Sequence, residues 1–309
     1  MTGRAAQTPK RVTIREHCIP TRDAKPYIAA PGPDGALWFC ESGAAKIGRL
    51  DPATYAFTEF AIPTPDCTPI GIVAGADGAL WFCEKTANKI GRITPEGRIT
   101  EFAVPTPKAG PDGIMLGPDG NIWFSQTEAS QIGRITPDGR ITEFSAGISP
   151  GAKPLSIVVR DGSLWFSEAA GNRVGRITVE GVVTEFPIPS HDSQPRAMAA
   201  HDDGSIWFVE TSTNALGRVD RAGRITEHAI PTPNASLRGV AVATDGTLWC
   251  TQNAANKLGH MAADGTMLGE YDIPTPASGA RCITAWPDGR LFFTQYDAGL
   301  IGEVIVEAG

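Results

Sequence analysis

The 309-residue chain contains no run of about 18 apolar residues, so no membrane-spanning helix is expected. Basic residues are in the minority. There are 27 Lys and Arg against 34 Asp and Glu, a formal net charge of −7. A nucleic-acid partner would want a basic surface and is not expected. A local basic pocket remains compatible with this balance, because net charge says nothing about distribution. The six cysteines, Cys18, Cys40, Cys67, Cys83, Cys250 and Cys282, contain no C-x-x-C pair and no zinc spacing. Cys40, Cys83 and Cys250 sit at nearly equivalent places inside apolar segments and read as small buried hydrophobes. The first residues, MTGRAAQTPK, lead into no apolar h-region, so a secretory signal is not read. The expectation is a cytoplasmic monomer with a flexible segment at 1–12. No G-x-S-x-G, P-loop, H-E-x-x-H or strand-borne G-x-G-x-x-G occurs.

Glycine and proline, by contrast, are plentiful, at 35 and 25 residues, and point to turns. They belong to an internal repeat. An aromatic landmark recurs at Trp38, Trp81, Trp123, Trp165, Trp207, Trp249 and Phe292. A glycine follows each at a near-fixed offset: Gly48, Gly91, Gly133, Gly175, Gly217, Gly259 and Gly302. Each repeat reads as four short strands. An apolar run meets an Asp-Gly hairpin signal, from Asp34-Gly35 through Asp288-Gly289. ALWFCE, KIGRIT and RITEFAI follow, and an I-P-T-P segment leaves the sheet because Pro cannot donate to a ladder. Seven such units of about 42 residues predict an all-β, seven-bladed β-propeller over 13–309. The last repeat stops after its third strand, while TIREHCIPT at 13–21 matches the missing fourth. The N-terminal strand is therefore expected to close the last blade and hide two sheet edges.

In a propeller, residues common to every blade serve the scaffold. Polar residues that vary between blades at channel positions are the site candidates. One column starts the innermost strand: Tyr27, Ile70, Asp112, Leu155, Arg196, Arg238 and Arg281. A second follows the W-F core: Glu41, Glu84, Gln126, Glu168, Glu210, Gln252 and Gln295. Both are read as close to the channel. Three successive repeats thus aim arginines at one sector, and Arg suits bidentate recognition of carboxylate or phosphate. The plainer alternative is that these arginines are solvated, or paired with Glu210, Glu168 and Glu41. Glu41, Glu84, Glu168, Glu210 and Asp112 could also offer oxygen ligands to a hard cation, although a Glu in many repeats more often joins neighbouring blades. His17, His191, His201, His228 and His260 read as surface or packing residues. Only His191 sits where it could reach the channel mouth.

The pattern D-G-x-L-W-F-x-E…N-K-I-G-R-I-T-x-x-G-x-I-T-E-F-x-I-P-T-P resembles the virginiamycin B lyases, also called streptogramin B lyases, from about residue 13 to 306. The resemblance implies an enzyme that linearises a cyclic depsipeptide by metal-assisted elimination. A base removes the proton α to the ester carbonyl, magnesium acidifies it, and the C–O bond breaks. It also implies where those groups should stand. The family's base, a His, falls on Arg281, and its substrate-facing His of the sixth repeat falls on Arg238. Its two magnesium-binding Glu fall on Gly279 and Gln295. All four positions differ here, so magnesium is implied by the resemblance while its ligand positions are lost.

The expectation is a divergent lyase-like propeller acting on a small anionic or peptide-like substrate. Arg196, Arg238 and Arg281 would clamp it, with Tyr27, Asp112, Glu41, Glu168, Gln252, Gln295 and Tyr296 around it. Arg281, Arg238 and Glu210 would carry the chemistry. Glu210 or Glu168 would accept a proton, and Tyr27 or Tyr296 would donate one. The alternatives are a non-catalytic propeller that binds a small anion or a partner protein, and, more weakly, a metal-dependent lactonase.

Overall fold

The second strand of every repeat is apolar on both faces, so it must be covered on both sides. A radial stack of sheets does this. In the computed structural model, which describes residues 11–307, seven four-stranded antiparallel sheets stand around a central channel. Every regular element among the described residues is a strand. In the first blade these are Pro26–Pro31, Leu37–Glu41, Lys46–Leu50 and Phe57–Ala61, in order from the channel outward. The innermost strands of successive blades touch, and that of the seventh blade touches that of the first.

Closure follows the sequence expectation. Arg11–Cys18 pairs antiparallel with Leu300–Glu307, outside Leu291–Gln295 and Ala280–Ala285. The strand starts two residues before the expected boundary, with Arg11 opposite Glu307 and Val12 opposite Val306. Residues 1–10 of the expected flexible segment lie outside the described residues. The seam between first and last blades carries its own polar cluster. Glu303, fully buried, accepts from Arg290 Nη1 at 2.7 Å and lies 3.3 Å from His17 Nε2.

The Asp-Gly signal marks the first hairpin of each blade, but the turn is a two-residue one only in blade four. There Asp161 and Gly162 both have positive φ, at 46° and 72°. In the first blade only Gly35 is left-handed, closing a wider turn in which Gly35 N donates to Gly32 O. The Asp is freed for another task. Asp34 accepts from the Trp38 indole at 2.9 Å and from Arg49 Nε at 2.7 Å. The same arrangement recurs at Asp77 with Trp81 and Arg92. Trp38 also stacks on Phe60 at 5.5 Å, and Trp81, Trp123 and Trp165 stack on Phe102, Phe144 and Phe186. The landmark tryptophans therefore fill the blades rather than face ligand. Burying each stabilises the fold by several kcal/mol, since truncating a buried Trp costs about 3–5 kcal/mol.

The recurring glycine is a close-approach residue. A Cβ on Gly91 would meet the Phe82 ring at 2.1 Å, and one on Gly48 would meet Phe39 at 2.1 Å and Glu41 Oε1 at 2.7 Å. In three blades the residue just before the Glu or Gln column then fastens blade to blade. Ser125, Thr251 and Thr294 donate to the innermost carbonyls of Leu155, Arg281 and Tyr27 at 2.7 Å.

Candidate functional site

The seven innermost strands enclose a cavity of about 600 Å³. Tyr27, Asp112, Leu155, Arg196, Arg238 and Arg281 line it, all from the first column, at the end where these strands begin. Ile70 of the same column is buried and does not line it. Among the described residues, the three arginines form no ion pair and no side-chain hydrogen bond. The Nε atoms of all three are buried without a partner. Burial, then the charges of Arg196 and Arg281, hold Arg238 below the usual guanidinium range, with Tyr27 acting in the opposite sense. These groups feel one another, and no carboxylate neutralises them. The Arg281 guanidinium lies over two rings, 4.0 Å from the Tyr296 centroid and 4.9 Å from that of Tyr27. The two tyrosines meet edge to face at 5.9 Å. Such stacking orients a guanidinium while leaving its N–H edge for a planar anion.

Asp112 is the carboxylate that lines the cavity, and it is engaged. Lys85 Nζ donates to it at 2.6 Å. Burial opposes the ammonium charge of Lys85, but Asp112 holds it above its usual range. Sequence reasoning did not single out Lys85. It follows Glu84 directly, and Tyr296 follows Gln295 in the same way. Both stand in the turn just beyond their strand, one residue out of phase with the buried Glu84 and Gln295, where Lys85 reaches Asp112 and Tyr296 meets Arg281 although neither lines the cavity. Parity was the signal that could have found Lys85.

The second column accordingly stands elsewhere than expected. Glu41, Glu84, Gln126, Glu168, Glu210, Gln252 and Gln295 are all fully buried and none lines the cavity. Six of them approach the Glu of the outermost strand, while both amide atoms of Gln126 are buried without a partner. Gln252 donates to Glu270 at 2.7 Å and Gln295 to Glu16 at 3.0 Å. No donor reaches either carboxyl oxygen of Glu41, Glu84 or Glu168. Burial, then the neighbouring Glu59, Glu101 and Glu185, push these three up to about 8. Glu210 is pushed up to about 7 by burial and Glu227, against a hydrogen bond from Thr213. A Glu that keeps its proton could donate to the outer Glu in these blades as Gln does in blades six and seven. The outer Glu in turn grips the preceding blade, as where Thr21 N donates to Glu59 at 3.0 Å and Thr64 N to Glu101 at 3.2 Å. This series is scaffold: Glu168 and Glu210 pair with Pro154 and Pro195 beside the mouth, but both side chains are buried and neither lines the cavity.

The histidines also sit in packing positions. His228 lies against Trp207, His260 stacks on Trp249 at 4.3 Å, and His17 stacks on Tyr55 at 4.4 Å. His201 lies 2.9 Å from Gly246 O, and His191 is exposed and does not line the cavity. Cys40, Cys83 and Cys250 are buried.

The magnesium ion implied by the resemblance does not fit these residues. Gly279 has no side chain, and a Cβ there would meet Asp297 Oδ2 at 2.2 Å. Gln295 offers a neutral amide oxygen in place of a carboxylate, and its amide nitrogen donates to Glu16. Arg281, a cation, stands between them in the same blade. Among the described residues no group of three or more His, Cys, Asp or Glu is placed to hold a metal.

Seven four-stranded blades closed by the N-terminal strand make this chain a seven-bladed β-propeller. The chain belongs to the virginiamycin B lyase family, whose model matches residues 2–160 and 148–309. A streptogramin B lyase structure is 35% identical, with a TM-score of 0.91 over 96% of this chain and 98% of that one. Virginiamycin B lyase from Staphylococcus aureus is 36% identical, with a TM-score of 0.90 over 95% and 99%. Hydrazine synthase from Kuenenia stuttgartiensis, 14% identical with a TM-score of 0.74 over 100% and 99%, shares the fold alone. Curated proteins give no match.

Proposed function

We propose that this chain is a virginiamycin B lyase-like propeller whose channel mouth binds a small anionic ligand. The observation that carries the reading is the convergence of Arg196, Arg238 and Arg281 on one cavity with no carboxylate partner. Three clustered guanidinium groups repel one another, and an anion offsets that repulsion through charge-assisted hydrogen bonds. The net charge of −7 supports the same reading, because the cluster is a local exception in an acidic chain. It also argues against nucleic acid as the partner. Six free cysteines suit a reducing cytoplasm.

Lyase chemistry on such a ligand is the second reading, favoured by family membership and by the aromatic hydroxyls at the mouth. Arg238 and Arg281 would stabilise the charge of an enolate-like oxygen. Tyr27 or Tyr296 would donate a proton, and Asp112, the carboxylate at the cavity, would accept one once released from Lys85. The replacement of the family's histidines by arginine separates this chemistry from streptogramin cleavage. The lactonase reading needs an acidic metal cage, which the described residues do not form.

The test is thermal stabilisation by succinate, citrate and phosphate at fixed ionic strength. At a hundredfold excess over Kd, binding stabilises the native state by about 2.7 kcal/mol. Arg238→Ala and Arg281→Ala are expected to lose the effect. Undiminished stabilisation in both variants contradicts the proposal.

A further inference from the structure

The cavity behind the arginines differs in character from its mouth. Its walls are Ala30, Val73, Met115, Val158, Ala199 and Val242 with their apolar neighbours. Below the first column the side chains with hydrogen-bonding groups are Ser156, Cys282 and Thr284. The first two are already committed. Ser156 Oγ accepts from Met198 N at 3.2 Å, and Cys282 Sγ lies 3.7 Å from Ala29 O. Four innermost carbonyls, of Leu155, Arg281, Tyr27 and Gly71, are engaged between blades by Ser125, Thr251, Thr294 and Cys40 of adjoining second strands. A wall of this kind competes poorly for water and well for hydrocarbon.

We infer that the ligand is an anion-headed amphiphile. Its carboxylate or phosphate head would meet Arg196, Arg238 and Arg281, and a slim apolar tail would descend the channel. This rests on the anion reading above and narrows it to one ligand class. An innermost strand of six residues spans roughly 20 Å, which leaves depth for a medium-length chain. Charge complementarity fixes the direction, because the cations stand at one end only.

The experiment is calorimetric titration of the full chain with straight-chain monocarboxylates from acetate to octanoate, and with butyl and octyl phosphate, below their micelle-forming concentrations. Octanol serves as the neutral control. The expected result is affinity that rises about fourfold per added methylene. Octanoate should bind at least tenfold more tightly than octanol, and Arg238→Gln should weaken every anion. The two head groups share the site, and their relative affinities tell which one it prefers. Short anions that bind through Arg238 with no gain from chain length overturn this inference and leave the anion reading standing. A chain-length gain that ignores Arg238→Gln shows adsorption of hydrocarbon and overturns both, as does the absence of any binding.

Discussion

Replacing Glu84 by Gln should stabilise the protein, and only above mildly acidic pH. Glu84 is fully buried against Glu101, and its carboxyl is pushed from an ordinary 4.5 up to about 8. The folded chain therefore keeps a proton that the unfolded chain releases. The stability this contributes is fully present below about pH 4.5. It is lost as pH rises toward about 8, because the unfolded state then binds fewer protons. Each tenfold gain in proton affinity on folding is worth about 1.4 kcal/mol, which bounds the loss at about 5 kcal/mol by pH 8. Interaction with Glu101 and local relaxation leave about 2–4 kcal/mol as the working expectation. Gln carries a permanent N–H donor in place of that proton, and Gln252 and Gln295 show that the blade accepts it. Glu84→Gln should thus match the wild type at pH 5 and exceed it at pH 8.5. For a chain of 309 residues this gap amounts to roughly 3–6 °C in Tm. Urea denaturation at both pH values measures it. Parallel pH–stability curves, or a variant weaker throughout, would rule out the protonated pair.

Three further outcomes are expected of the same structure. Gly91→Ala drives a methyl group into the Phe82 ring and should cost about 1–3 kcal/mol or more in chemical denaturation. Glu303→Ala leaves Arg290 without its buried partner at the ring seam. Asp288 still holds the partly exposed Arg290 at 2.7 Å, so a loss of about 1–3 kcal/mol is expected, with hydrogen-exchange protection falling first in Arg11–Cys18. Arg238→Ala, by contrast, removes one of three mutually repelling cations. Without ligand it should be at least as stable as the wild type in a thermal melt, as expected of a group kept for binding. A clear loss of stability would mark Arg238 as a structural residue.

Much of the fold could be read from the sequence because the repeat is long and its landmarks are covalently spaced. Trp38 through Phe292 counted the blades, and TIREHCIPT identified the closing strand. The arginine sector was legible for the same reason, since Arg196, Arg238 and Arg281 occupy one position of the repeat. What failed was parity. Glu41 and its equivalents were read as channel residues, yet they point into the blade, and the following residue, Lys85 or Tyr296, reaches a residue of the mouth. A one-residue choice along a strand exchanges its two faces, and a strand buried on both faces has no polar alternation to settle that choice. The Asp-Gly tips were read correctly as hairpins, but the role of their Asp was not. The dipeptide marks a hairpin, but the loop around it decides whether Asp34 turns the chain or holds Trp38.

The anion site is best tested by a crystal structure of the protein grown with selenate, whose selenium scatters anomalously. An anomalous peak is expected within hydrogen-bonding distance of Arg196, Arg238 and Arg281, with Arg281 still stacked on Tyr296. Arginines turned onto neighbouring carboxylates, with no peak among them, would show that no anion site exists there.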